Sequence, residues 1–279
     1  MMKKENMILW GMVLLFAVMM SVPFLVPHTG LLALFGLIPL LAMERIATML
    51  EKKRIWIYHY SAFVLWNTFT TFWVCNATVG GGIFAILANS LQMSLVFGVF
   101  RLSKKKFSGA LPYIFLMVTW IAWERFYFDA EISWPWLVLG NSFARTTWAI
   151  QWYEYTGSLG GSLWIWACNL GIFGLLVSLS DGSWSGFNIK AKAASCIGLL
   201  TLFILPPVVS GAIGKQYENA MEADESLEVL IIQPNIDPYN KFQAMTQDQQ
   251  NALLEGMMAK ELAPRKADSC STPLLVVAP

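Results

Sequence analysis

Basic charge alternates along a chain of apolar stretches, and no other feature limits the fold of this sequence as much. The stretches run from about Met7 to Val22, Leu31 to Met43, Tyr58 to Cys75, Ile83 to Phe100, Ala110 to Phe128, Ser158 to Leu179 and Ala191 to Ile213. Most approach the ~20 apolar residues needed to cross a bilayer. The second is short, and continues toward Leu50 with Glu44 and Arg45 expected at the interface. Every second connection is basic: Lys3 and Lys4; Arg45, Lys52, Lys53 and Arg54; Arg101, Lys104, Lys105 and Lys106; Lys190 and Lys192. The intervening connections hold only Arg125 and Arg145, so twelve basic residues stand against two. Such a bias places the basic connections, and the N-terminus, on the cytoplasmic side. An odd number of crossings then puts the stretch from Leu227 to Pro279 outside. The start, with Lys3 and Lys4 before an apolar run, is like a signal peptide but lacks a small-x-small cleavage site, and reads as an uncleaved first helix. Pro23 and Pro27 are expected to break the chain into a tight turn.

Composition agrees. Of 279 residues 56% are hydrophobic and 13% charged, too apolar for an ordinary soluble domain. A formal net charge of +1 excludes global electrostatic attraction to nucleic acid, and no nucleic-acid partner is expected. The thirteen tryptophans gather at the ends of apolar runs, as amphipathic rings do at a membrane surface. Cys75, Cys168, Cys196 and Cys270 are scattered, and His28 and His59 read as interfacial imidazoles at span edges. Neither a metal site, a cofactor nor a disulfide framework is expected. Gly157, Gly160, Gly161, Gly171 and Gly174 in the sixth stretch suit close helix packing in lipid, with Asn169 as an interhelical hydrogen-bonding residue.

Residues 1–213 thus form a multi-span α-helical membrane bundle of about seven spans, and 214–226 a polar connector. Residues 227–279 read differently. Glu228-Val-Leu-Ile-Ile232 is a β-branched run of the kind buried on both faces of a parallel sheet. Thr246 with Gln249 forms a capping box for a helix that Pro264 closes. Leu274-Leu-Val-Val-Ala278 is a second strand. One strand, helix and strand make a single βαβ unit, too small to bury a core alone, so a continuation after Pro279 is expected.

Two places suggest chemistry. The long outward connection holds Trp120-x-x-Trp123-Glu124-Arg125 and then Trp134-Pro135-Trp136. A carboxylate near a span end is costly in lipid unless it faces a cavity or a partner. Glu124 is therefore either in an ion pair with Arg125 or Arg145, or the orienting residue of an aromatic-lined lipid entrance built by Trp134 and Trp136. Simple interfacial anchoring is the plainer reading of those tryptophans. In the soluble part, Gln233-Pro234-Asn235 and Ala278-Pro279 follow the two strands, at the edge where open α/β sheets bind ligands. No nucleophile–base pair assembles from the residues present.

The run Val229-Leu-Ile-Ile-Gln-Pro-Asn-Ile-Asp-Pro-Tyr-Asn-Lys-Phe242, followed by a helix and Leu274-Leu-Val-Val-Ala-Pro279, resembles the opening of a nitrilase-like carbon–nitrogen hydrolase domain. Preceded by a multi-span domain with Trp120-x-x-x-Glu124 and Trp134-Pro-Trp-Leu137, it resembles the bacterial apolipoprotein N-acyltransferase family. The resemblance implies an incomplete α/β nitrilase-like domain after the membrane bundle, in a multi-pass protein of the bacterial inner membrane. It implies acyl transfer from a phospholipid donor to a diacylated lipoprotein acceptor through a Glu, Lys and Cys triad. That glutamate would directly follow Pro279, so none of the three is assigned here and residues 1–279 alone are expected to be inactive. By position, Trp136 falls where the family has an aromatic near its lipid entrance and Glu124 where it has a carboxylate. A non-catalytic scaffold, or a membrane-attached nitrilase-like amidase, stays open beside this reading.

Overall fold

The computed structural model describes residues 2–131, 133–221, 227–237, 239–267 and 273–279, in two units, Met1–Gln216 and Tyr217–Pro279. The first unit is built of helices: α1 (Met2–Leu25), α2 (Ala33–Gly36), α3 (Ile38–Met49), α4 (Ile55–Thr71), α5 (Val79–Ser103), α6 (Leu111–Phe128), α7 (Tyr153–Ser180), the short α8 (Ser183–Gly186) and most of α9 (Ile189–Met221), whose last residues belong to the second unit. Five segments among the described residues are long and apolar enough to cross a membrane: Lys4–Leu25, Gly30–Met49, Val79–Ser103, Tyr153–Ser180 and Ile189–Asn219. The chain is a multi-pass membrane protein. Two of the seven expected spans fall on α4 and α6, which are not in that set. α4 has 17 residues, or about 26 Å of rise. The 18-residue α6 carries Glu124 and Arg125 in its last turns.

Prolines do not stop helices here where the sequence suggested. Pro23 lies inside α1, and the turn comes later, at His28, whose φ is 64°. In lipid a helix keeps its remaining backbone bonds because no water is there to replace them. In α9, Pro206 and Pro207 lie mid-helix. Lacking an N–H, Pro206 leaves the Leu202 carbonyl without its helical donor. The Trp164 indole fills that role, donating to Leu202 O at 2.6 Å.

The second span is broken. A 3-10 turn at Gly30–Leu32 leads into α2, and Leu37 separates α2 from α3. Asn169, from the middle of α7, repairs the break. Its Oδ1 accepts from the Leu37 N–H at 2.8 Å, and its Nδ2 donates to Ala33 O at 2.9 Å and Ile165 O at 2.8 Å. The expected interhelical role is thereby specific: an irregular backbone at membrane depth needs an internal partner.

Phe16, Phe63, Trp66, Phe97, Trp120 and Trp166 fill the core. Phe16 meets Phe63 and Trp66 edge-on, both at 5.8 Å, a favoured aromatic geometry. His59 is a correction to the sequence reading. Helical spacing from Ile55 puts it on the face of Phe63 and Asn67, so it is 2% exposed, with Nδ1 2.8 Å from Ser94 Oγ of α5. Glu44, expected at the interface, is buried as well. Lys104 at 2.6 Å and Arg101 at 3.7 Å pair with it, and Thr48 donates to it at 3.0 Å. At the same end Lys52 pairs with Glu5 at 3.3 Å and Arg45 with Asp181 at 4.0 Å. Hydrogen bonds from Ser183 hold the Asp181 carboxyl below its usual range, with Arg45 adding to the effect.

In the second unit, β1 (Glu228–Ile231) and β2 (Leu274–Val277) pair in parallel, Glu228 opposite Leu274 and Ile231 opposite Val277. Between them lies α10 (Gln247–Ala267). The capping box forms reciprocally: Gln249 N–H donates to Thr246 Oγ1 at 3.3 Å and Thr246 N–H to Gln249 Oε1 at 3.0 Å. Pro264 does not close the helix, which runs on to Ala267, because a single lost bond near the final turn is tolerated. Nor is β1 buried on both faces, since Val229 and Ile231 are exposed. Cys270 lies outside the described residues.

Candidate functional site: a clasped tryptophan loop

The connection between α6 and α7 folds as three 3-10 turns, Pro135–Leu137, Leu139–Phe143 and Thr147–Ala149. Such a path leaves many backbone groups without helical partners, and the membrane bundle supplies them. Glu124 is central. Helical spacing on α6 sets it one turn after Trp120, whose indole Nε1 donates to Glu124 Oε1 at 3.0 Å. The Leu139 N–H donates to the same oxygen at 2.9 Å. Glu124 is 1% exposed, and its Oε2 has no hydrogen-bond partner among the described residues. The neighbouring Ser162 hydroxyl does not reach Oε2 with hydrogen-bond geometry and instead accepts from the Gly140 N–H at 3.1 Å. Tyr153 Oη donates to Gly140 O at 3.0 Å.

Glycine is required at this junction. A Cβ on Gly140 would run into the Ser158 carbonyl, and one on Gly161 into the Tyr153 hydroxyl. The loop backbone therefore lies directly on α7. Further along, Gly30 N–H donates to Thr146 Oγ1 at 3.1 Å and His28 N–H to Arg145 O at 3.2 Å. The loop is tied to α6, to α7 and to the turn after α1.

Neither ion pair considered for Glu124 forms. Arg125 faces away and pairs with Asp129, one turn on. Arg145 contributes its backbone carbonyl. Glu124 Oε1 accepts from an indole and a peptide N–H, and these two bonds fix the loop to the bundle. Leu137, Leu139 and Phe143 bury inward, and Asn141 Nδ2 donates to Pro135 O at 2.8 Å. Trp136 is turned outward, 53% exposed. Its ring meets Trp73 edge-on at 5.4 Å and 87°. Trp73 stands in the 3-10 turn Phe72–Asn76 at the end of α4, and Phe72 beside it is also exposed. Trp134 is half-buried, and its Nε1 is buried without a partner among the described residues.

Glu124, Trp134 and Trp136 thus belong to one structure, but in different parts. Glu124 is an internal clasp, and Trp136 is half of an exposed aromatic pair. Sequence reasoning missed Trp73, Ser162, Tyr153 and the Leu139 N–H. Trp73 had the signal of a tryptophan at a span end, whereas a backbone N–H carries no signal in its residue type. The arrangement offers apolar, aromatic surface for a ligand. Cys168, the cysteine on α7, is buried and points toward Leu202 O.

The sequence pattern of the apolipoprotein N-acyltransferase N-terminal domain matches residues 16–171, a region that includes Glu124, Trp134 and Trp136. A protein of Chlorobaculum tepidum described as apolipoprotein N-acyltransferase is 27% identical over 222 residues, which is 78% of this chain and 39% of that protein. The chain spans about two-fifths of the length of this relative. No solved structure matches the chain. With the match covering over half of its residues, the chain belongs to the apolipoprotein N-acyltransferase N-terminal domain family.

Proposed function

We propose that this chain serves the transfer of an acyl chain from a phospholipid to the α-amino group of a diacylglyceryl-cysteine on a lipoprotein. Its membrane bundle receives the phospholipid at the Trp73–Trp136 pair. The observation that carries this reading is the clasp. A buried carboxylate, costly in a membrane, is spent on holding in place a loop whose exposed feature is an aromatic ring. Glu124 acts as the positioning residue, Trp136 as the lipid-contacting one, and Trp134 as its support.

The family resemblance supplies the chemistry. A cysteine thiolate attacks the ester carbonyl of the phospholipid, the ester C–O bond breaks, and a lysophospholipid leaves with a proton. The lipoprotein amine then attacks the thioester, forming an amide and returning the thiol. A glutamate serves as general base and a lysine stabilises the oxyanion. The family places these three residues after the position matching Pro279, so no residue of this chain is given a covalent role. In this reading residues 227–279 open a nitrilase-like domain on the outer face of the bacterial inner membrane. The N-terminus is cytoplasmic, and α4 and α6 complete seven crossings. The packing of α4 between α1 and α5, and of α6 between α5 and α7, supports that count.

The test uses the chain reconstituted with a photoactivatable phospholipid. Trp136→Ala is expected to lower labelling of the Trp73–Trp136 region several-fold. Because Trp136 is exposed, thermal stability should move by no more than about 0.5 kcal/mol. Unchanged labelling in a normally folded variant would refute the lipid role of this pair.

A further inference from the structure

The opposite, basic end of the bundle holds a second kind of site. A cleft of about 620 Å³ opens between α6 and α7 beneath the α5–α6 connection. A second, of about 510 Å³, runs along α3 and α7. Arg45, Phe173 and Val177 line both, so the two form adjoining lobes. Their walls are apolar: Tyr113, Ile114 and Leu170 in the first, Ile38, Ile46 and Leu176 in the second. Charged residues line them too: Arg45 on α3 in both, Lys104 just after α5 in the first and Asp181 just after α7 in the second.

Neither cation is fully committed. Lys104 donates to Glu44, but an ammonium has three donors. Its Nζ also lies 5.2 and 5.5 Å from the Phe100 and Tyr113 ring centres, beside the cleft. Among the described residues Arg45 has only a loose pair with Asp181 at 4.0 Å, both side chains about a third or more exposed, and such pairs are weak. Asp181 is meanwhile engaged by the Ser183 N–H at 3.0 Å. Three cations (Arg45, Arg101, Lys104) meet two carboxylates (Glu44, Asp181), and exposed Lys105 and Lys106 follow. The N-terminus of α6, without a side-chain cap, opens on the same cleft. Positive charge at the rim and two long apolar lobes beneath it describe the complement of an anionic amphiphile.

We infer that this cleft binds an anionic phospholipid, its phosphate between Arg45 and Lys104 and its acyl chains in the two lobes. The site is separate from the tryptophan loop and does not depend on the proposed transfer activity. It holds lipid as a fixed part of the bundle, bridging α3, α6 and α7 at the end where the sequence concentrates lysine and arginine.

The test is native mass spectrometry of the full chain in detergent with dioleoylphosphatidylglycerol, dioleoylphosphatidylcholine or inorganic phosphate. The phosphatidylglycerol should bind more tightly than the phosphatidylcholine, and phosphate should not displace it. Arg45→Gln should weaken phosphatidylglycerol about five-fold, the effect of one interfacial cation, and weaken phosphatidylcholine, whose choline already offsets its phosphate, by less. Gly174→Leu adds bulk to the wall of the first lobe, where a Cβ meets nothing within 4 Å. It should weaken both lipids, and it carries the test alone should Arg45→Gln fail to fold. Equal affinity for the two lipids would overturn the proposal. So would undiminished phosphatidylglycerol binding in either folded variant, or displacement of lipid by phosphate.

Discussion

A buried side chain that serves two backbone or indole groups is worth more than its own contacts, because its removal strands each of them. Glu124 and Asn169 are residues of this kind. Glu124→Ala would leave the Leu139 N–H and the Trp120 indole unpaired, at about 1–3 kcal/mol for each buried donor. Glu124→Gln keeps an acceptor at Oε1 and should cost much less. Thermal unfolding in detergent distinguishes them, and equal losses would show that charge rather than the acceptor holds the loop. Photolabelling should follow the same order, since Glu124 acts only through the position of Trp136. Asn169→Ala strands the Leu37 N–H and the Ala33 carbonyl. Interhelical side-chain hydrogen bonds in membranes contribute about 0.6–2 kcal/mol, so a moderate fall in stability is expected, with faster hydrogen exchange at Leu37. Protection at Leu37 as in the parent chain would argue against the repair.

At the scale of elements, the irregular segments are supported from outside themselves. The break between α2 and α3 depends on α7, and the loop after α6 depends on α6 and α7. Pro206 in the middle of α9 depends on Trp164. The last case yields a thermodynamic cycle. Trp164→Phe should destabilise the parent chain by about 1 kcal/mol through the orphaned Leu202 carbonyl. In a Pro206→Ala background residue 206 regains an N–H, Leu202 O regains its helical donor, and the cost of Trp164→Phe should shrink toward its packing component. Additive effects of the two changes would mean the indole does not serve that carbonyl. Close approach gives a second test. Gly140→Ala forces a methyl against the Ser158 carbonyl, and overpacking of this kind costs about 1–3 kcal/mol. Gly174→Ala on the same helix α7, with open space beside it, should be neutral by the same melting assay.

At the scale of the whole molecule, topology is the open quantity that charge decides. A reporter active only outside the cytoplasm should be active when fused after Ser226 and silent after Lys106. Activity at both points, or the reverse pattern, would rule out seven crossings with a cytoplasmic N-terminus. The proposed division of labour is tested by chemistry. Purified 1–279, incubated with phospholipid and a diacylated lipopeptide, should show no thioester on any cysteine by mass spectrometry. A stoichiometric acyl adduct would place a nucleophile within this chain and overturn the assignment of catalysis to residues beyond it.

How much of this was legible beforehand depends on the range of the interaction. Apolar length and the placement of lysine and arginine are local, additive properties, so helix positions, the membrane class and the capping box at Thr246 and Gln249 could be read directly. The family could be read as well, because its motifs are contiguous. What the tertiary structure alone decided are pairings between residues far apart in the chain. His59 carries nothing in its neighbours to say it faces Ser94 rather than the interface, and Glu44 nothing to say that Lys104 will bury it. Glu124 was recognisable as a carboxylate needing a partner. One partner, the Trp120 indole, lies a single helical turn away; the other is a peptide N–H, a group every residue but proline possesses, and only the folded path of the loop selects which one. Likewise the second span reads as one apolar run. Its break at Leu37 is affordable only because Asn169, more than a hundred residues away, arrives to satisfy it.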